Sequence, residues 1–327
     1  MLRAKSRRED FKNKYMFRYI NIFAIVAILL AACTKTEVTY DAPSEIAFAP
    51  AAAVMTKATY EGGDFNVFAY TENGVPYFAN EVFTDADNDG TYLGKSTQYW
   101  PNEKKLKFAG YTGAQKDVEE GTGLSTMTIT DYDQSAGGDL MWFFTEAVSA
   151  PVGTDGEITS IAPQMHHACA KITIKVEGEK KEGQDEGPCD DWLIKNVDIA
   201  DLYISGDVTF EPGGVDWDTE DYTVSELAFE REAKIGDQPS VSTIVIPQTP
   251  TKLTVYYGGK WVNDEWKDGK SKGDIDLSLG TDTDDKPIRW QAGYHYTYTL
   301  HFKNPHKIEF SFSGVDTWSD SGTITMQ

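Results

Sequence analysis

Apolar and polar residues alternate over short runs along most of this 327-residue chain. That two-residue period predicts strands. The cleanest run is Ala168–Val176: Ala170, Ile172, Ile174 and Val176 share one face, and Cys169, Lys171, Thr173 and Lys175 share the other. Further strands are predicted at 46–49, 65–70, 192–194, 197–204, 243–246, 253–257, 275–279, 294–302 and 308–312. Asn73-Gly74 and Asp89-Gly90 are hairpin-type turns. No segment carries a convincing 3.6-residue period. Gly153–Glu157 reads as a hinge, and Glu177–Asp191 as a charged loop. Many short strands separated by turns argue for an all-β chain built of two β-sandwich domains.

The N-terminal end follows a different pattern. Ile22–Leu30 is wholly apolar, follows Lys12, Lys14 and Arg18, and ends in Leu30-Ala31-Ala32-Cys33. A charged region, a short apolar region and small residues before a cut form a secretory leader. The Cys directly after them makes it a lipobox. The run falls short of the about 20 residues that a membrane span needs. Residues 1–32 are therefore expected to be a lipoprotein signal peptide, with the mature chain starting at a lipidated Cys33. Met16 is a more natural start than Met1, because Met16-Phe17-Arg18-Tyr19 makes a compact charged region.

Charge and cysteine content narrow the function. Seven Lys/Arg and two Asp/Glu precede Cys33, so the chain from Cys33 onward holds 23 basic and 50 acidic residues, a net charge of −27. That surface disfavours nucleic acid as a partner. Aromatic residues make up 13% of the chain, as a packed β fold requires. Apart from Cys33, Cys169 and Cys189 remain. They are either paired in a disulfide, which an oxidising exterior permits, or two free thiols.

No catalytic or metal-binding set emerges from the sequence. Adjacent His166 and His167 point to opposite faces of a strand, so they do not converge with Cys169 on a metal. Asp85–Gly90 resembles half a calcium loop, but Ser96 stands where the bidentate Glu belongs. It reads better as an acidic hairpin tip. No nucleophile elbow, zinc motif or phosphate-cradling loop is present. No enzyme activity, cofactor or metal is expected. Trp261 and Trp266, in a polar hairpin-like stretch, are candidates for stacking on a glycan.

Several stretches together resemble the fimbrillin family of the Bacteroidales, subunits of type V pili and their surface relatives. They are Tyr99-Trp100-Pro101 with Leu106–Tyr111; Asp139-Leu140-Met141; Met165, His167 and Ala170-Lys171-Ile172; Ile246-Pro247-Gln248; and Trp290, Ala292-Gly293, Tyr296, Tyr298, Val315-Asp316 and Trp318. Met165 replaces the family's usual aromatic residue. The resemblance implies two transthyretin-like sandwiches and a structural, non-enzymatic subunit assembled by protease-triggered strand exchange. It places a lipidated tether and removable first strand at 33–57, an N-terminal domain at 58–160 and a C-terminal domain at 161–327. The cut would fall between Lys57 and Ala58, with Lys where Arg is commoner in the family. The donor strand would carry Ile324 and Met326 on one face. Partners would be other fimbrial subunits, the outer membrane through lipid, and host or bacterial surface ligands. The expected location is the outer membrane and cell surface, or the fimbrium after processing. The competing expectation is a monomeric carbohydrate-binding surface lipoprotein.

Overall fold

The computed structural model describes residues 44–318, apart from 50, 53–62, 103, 115–116, 137, 153–159, 181–182, 184–186, 220, 230–232, 263–264, 267–269, 277–287 and 305–306. Among these residues the fold is all-β. Two single 3₁₀ turns, Gln134–Ala136 and Ile235–Asp237, are its helical elements. No described helix is long and apolar enough to cross a membrane.

One body is built around an eight-stranded sheet. Its order is Ala47–Phe48, Tyr92–Gly94, Pro76–Thr84, Phe65–Thr71, Leu106–Thr112, Met141–Phe144, Gln164–His167 and Ala51–Ala52. Its central strands are buried on both faces. Phe65, Val67 and Ala69 enter one core with Phe83, Phe108 and Phe143. Phe68 and Tyr70 enter another with Tyr111, Ile129 and Tyr132. This is why Phe65–Tyr70 is apolar almost without interruption rather than alternating. A sheet covered on both sides leaves no face for polar residues.

The cover on the second face is a four-stranded sheet, ordered Gly214–Thr219, Ser205–Glu211, Met127–Asp133 and Glu119–Glu120. Its first two strands come from far along the chain. Val208 pairs with Ile129 and Phe210 with Met127, across roughly 80 residues of sequence. The hairpin 205–219 lies outside the predicted strands, yet its local signal is present. Val208/Phe210 and Val215/Trp217 alternate with Asp and Thr around Pro212-Gly213. Gly213 sits at φ +108°, as a turn with Pro in its first central position demands of the second.

The other body is a two-sheet sandwich. One sheet runs Ser240–Val245, Ala170–Gly178, Tyr294–Asn304, Lys307–Thr317. The facing sheet centres on Trp192–Tyr203 and Lys252–Val262. The predicted inward face of the Ala170–Gly178 strand is correct: Ala170, Ile172, Ile174 and Val176 are all fully buried, around Trp290, Tyr298 and Leu300. The predicted strands 192–194 and 197–204 are one strand. It is kinked by an irregularity between Ile199 and Leu202, where Asp201 takes φ +51°.

The chain passes between the bodies at Ala168, Cys169 and Ala170. All three are fully buried, and each belongs to a different cluster. His166 and His167 still pair with Trp142 and Met141, and residues from Lys171 onward pair with Tyr294–Asn304.

Candidate functional site

The first strand is the feature that most resembles a working part. The segment 44–49 is short, but it is hydrogen-bonded on both sides. The Trp100 amide donates to the Ser44 carbonyl (2.9 Å), and the Ile46 amide to the Gln98 carbonyl (2.7 Å). On the opposite side Ala49 donates to Ile161 (2.7 Å) and Ile161 to Ala47 (2.8 Å). Ala47 and Phe48 also pair with Leu93 and Tyr92. The predicted common face of Ile46 and Phe48 is correct, and both side chains are fully buried. The Phe48 ring sits among four others: Phe83 at 4.8 Å, Phe108 at 5.3 Å, Phe65 at 5.8 Å and Phe143 at 5.9 Å between centroids. Three of these four contacts are edge-to-face, the favoured arrangement of aromatic pairs. Take the segment away and an apolar slot remains, edged by unpaired carbonyls and amides.

The sequence stretches singled out for their resemblance turn out to be structural clamps. Tyr99-Trp100 holds the first strand, through a Glu45–Tyr99 bridge and the Trp100 amide on the Ser44 carbonyl, while the Trp100 ring packs on Phe108 at 5.7 Å. Asp139 meets the buried His167 at 2.8 Å, and the Leu140 carbonyl accepts the Ala168 amide at 2.8 Å. The His167 ring lies flat on Trp318, with centroids 3.8 Å apart. Buried Gln248 donates to the Ile246 and Tyr203 carbonyls and accepts the Tyr203 amide. The Trp290 indole donates to Tyr298 Oη (2.8 Å), whose hydroxyl burial pushes up to about 12. Gly293, at φ +76°, donates to the Cys169 carbonyl and accepts the Trp318 amide.

Other candidates resolve differently. His166 and His167 do face opposite ways: His166 is exposed beside Trp142, and His167 is buried. At 85–90, Asp85 accepts the amides of Asp89 and Gly90 (3.0 Å each), and Asp89 accepts that of Thr91. These carboxylates cap a turn. Trp261 and Trp266 are described by backbone alone, and they occupy directly opposed positions of neighbouring strands. Cys33, Lys57, Ala58, Ile324 and Met326 lie outside the described residues.

The two described cysteines are free thiols in separate clusters. Burial raises both; Cys189 reaches about 11, and the Cys169 thiol donates to Gln134 Oε1 at 3.3 Å. Neither offers thiolate near neutral pH. We expect a folded chain starting at residue 34 to leave both thiols unlabelled by an Ellman-type reagent at pH 8, and the same chain unfolded to release two equivalents. One rapidly reacting thiol in the folded state contradicts this packing.

Comparison with known proteins bears on most of the chain. A family model described as fimbrillin-like matches residues 53–318. Solved structures of similar fold include a candidate cell adhesion protein from Bacteroides uniformis, at 16% identity and a TM-score of 0.57. That match covers 84% of this chain and 99% of the other. Another from Bacteroides ovatus has 15% identity and a TM-score of 0.50, covering 86% and 99%. One from Parabacteroides distasonis has 12% identity and a TM-score of 0.51, covering 86% and 99%. At these identities the likeness establishes the fold. No curated protein matches the chain by sequence.

Proposed function

The chain belongs to the fimbrillin-like family, a structural rather than an enzymatic one, and from that premise we propose that it is exported as a lipoprotein and assembled by strand exchange. Membership itself gives the coarser statement: a fimbrial or adhesion subunit at the cell surface.

In this reading the lipobox Cys33 carries the precursor to the outer membrane. A trypsin-like cut after Lys57 then releases Ala58 as the new N-terminus. The observation that carries the proposal is the state of segment 44–49. It is bonded on both sides and plugs the core with Ile46 and Phe48. It also precedes Lys57 in the chain, so the cut would turn a covalent part of the sheet into a bound peptide. Its departure would leave the slot for a strand from a neighbouring subunit. Main-chain hydrogen bonds would supply the affinity, and alternating side chains the fit. The donor is the C-terminal stretch 322–327, with Ile324 and Met326 as the inserted pair. Other fimbrial subunits are the partners.

N-terminal sequencing of surface-purified protein tests the cut. Ala58 is expected as the first residue, and Lys57→Gln should accumulate the lipidated, unassembled precursor. A lipidated Cys33 in the assembled fibre would reject release and make the chain an anchor. Deleting 322–327 should abolish the polymer ladder while the monomer stays folded; an unchanged ladder rejects the donor assignment.

A further inference from the structure

Away from the first strand, three concavities share walls along the join between the two bodies. They have volumes of 400, 610 and 560 Å³. Trp142, His166 and Gly213 line both of the first two. Trp217, Pro247 and Arg289 line both of the last two. They therefore make one elongated trough with aromatic side chains at each junction. Each part falls in the size range of sites for small organic groups.

Three features of the lining point to a ligand. Arg289 is exposed and makes no ion pair among the described residues, although this chain is strongly acidic. Only one other arginine, Arg231, follows Cys33 in the sequence. A planar guanidinium placed free in a cleft is suited to a carboxylate, which it grips with two parallel hydrogen bonds. Next, Trp142 lines the trough, and its buried indole N–H has no acceptor among the described residues. A buried donor without a partner is costly, and a ligand oxygen that reached it after a small movement of the ring would relieve that cost. Finally, aromatic surface is available. Tyr294 is 38% exposed, and the half-buried Trp217 is held in place by its own bond to the Ala168 carbonyl, 2.9 Å. Asp216 and Asp201 add acceptors for hydroxyl groups.

We infer that the trough binds an oligosaccharide containing a carboxylated sugar, with the carboxylate on Arg289 and sugar rings against Trp217 and Tyr294. A peptide strand is the poorer occupant. The strand on the trough wall, Gly214–Thr219, is an edge strand, but it exposes Asp216 and Asp218. Charges on an edge discourage strand addition. This site shares one residue, Phe108, with the first-strand slot, and Trp261 and Trp266 are not among its lining residues.

The test titrates the full folded protein with hexagalacturonate and with sialyllactose, using maltohexaose and hexaglutamate as controls, by calorimetry. At least one carboxylated sugar should bind, and more tightly than maltohexaose. Arg289→Gln should weaken it by about tenfold to a hundredfold, as loss of a charge-assisted pair does. Arg289→Lys should recover part of that loss, and Tyr294→Ala should cost about three- to tenfold. Both side chains are exposed, so unchanged thermal melts are expected of the variants. No binding of either carboxylated sugar overturns the proposal, as does unchanged affinity in Arg289→Gln. Hexaglutamate binding with the same dependence on Arg289 would reassign the trough to acidic peptides.

Discussion

Replacing Phe48 by alanine should destabilise the protein by about 3–5 kcal/mol, the range for truncating a fully buried phenylalanine. The ring has no exposed surface and four phenyl neighbours between 4.8 and 5.9 Å. The cavity would open where four body strands and the first strand meet. That site has little freedom to collapse, since Phe65, Phe83, Phe108 and Phe143 are themselves fixed in paired strands. Urea unfolding of a chain starting at residue 34 measures it, with Ala47→Ser, on the half-buried position next door, as a near-neutral control. A shift below about 1 kcal/mol would mean that the first strand is not part of the folded core. The same substitution has a second consequence if the chain is cut after Lys57. The released segment is then held by non-covalent contacts alone, and Phe48 is its largest. Native mass spectrometry of the cut protein should therefore find the segment lost markedly faster in Phe48→Ala than in the parent.

The second large effect concerns the hairpin 205–219. A fragment of residues 44–168 contains every strand of the eight-stranded sheet, yet it should not fold cooperatively. Without the hairpin, the Met127–Asp133 strand keeps only the two-residue Glu119–Glu120 strand beside it, and Phe68, Tyr111, Tyr132 and Trp142 lose the cover of Val208 and Phe210. Trp142 alone stacks on Phe210 at 5.7 Å. Circular dichroism and exchange-broadened NMR spectra should report an unfolded or molten fragment. Adding residues 203–221 as a separate peptide should recover structure. In the intact chain the corresponding probe is Gly206→Ala. Its Cβ would stand 2.3 Å from the Asp218 carbonyl oxygen, a backbone atom that cannot step aside without breaking the hairpin. A stable, two-state fragment 44–168 would show that the hairpin is an ornament on a self-sufficient domain.

These two expectations mark where sequence reasoning succeeds and where it stops. The inward sets Ile46/Phe48 and Ala170/Ile172/Ile174/Val176 were legible because side chains on a strand alternate with a period of two, and apolar residues must then mark the covered face. The rule failed at Phe65–Tyr70, where both faces are covered, and at Cys169, whose intended outer face is filled by Ile244 and Trp318. The hairpin carried its own local signal in Pro212-Gly213 and the alternation around it. What no local pattern could supply was its partner, because pairing between residues 129 and 208 depends on the whole path of the chain between them.

The sequence by itself determined the strand content, the inward faces, the turn at Gly74 and the family to which the order of its short motifs pointed. These follow from backbone geometry and residue chemistry that act within a few positions. Tertiary structure decided the rest: that segment 44–49 is an interior strand, that residues 205–219 complete a core begun about 140 residues earlier at Phe68, and that Trp142, Trp217 and Arg289 line one trough. Such features arise from burial shared among distant segments, and burial is a property of the assembled chain rather than of any stretch of it.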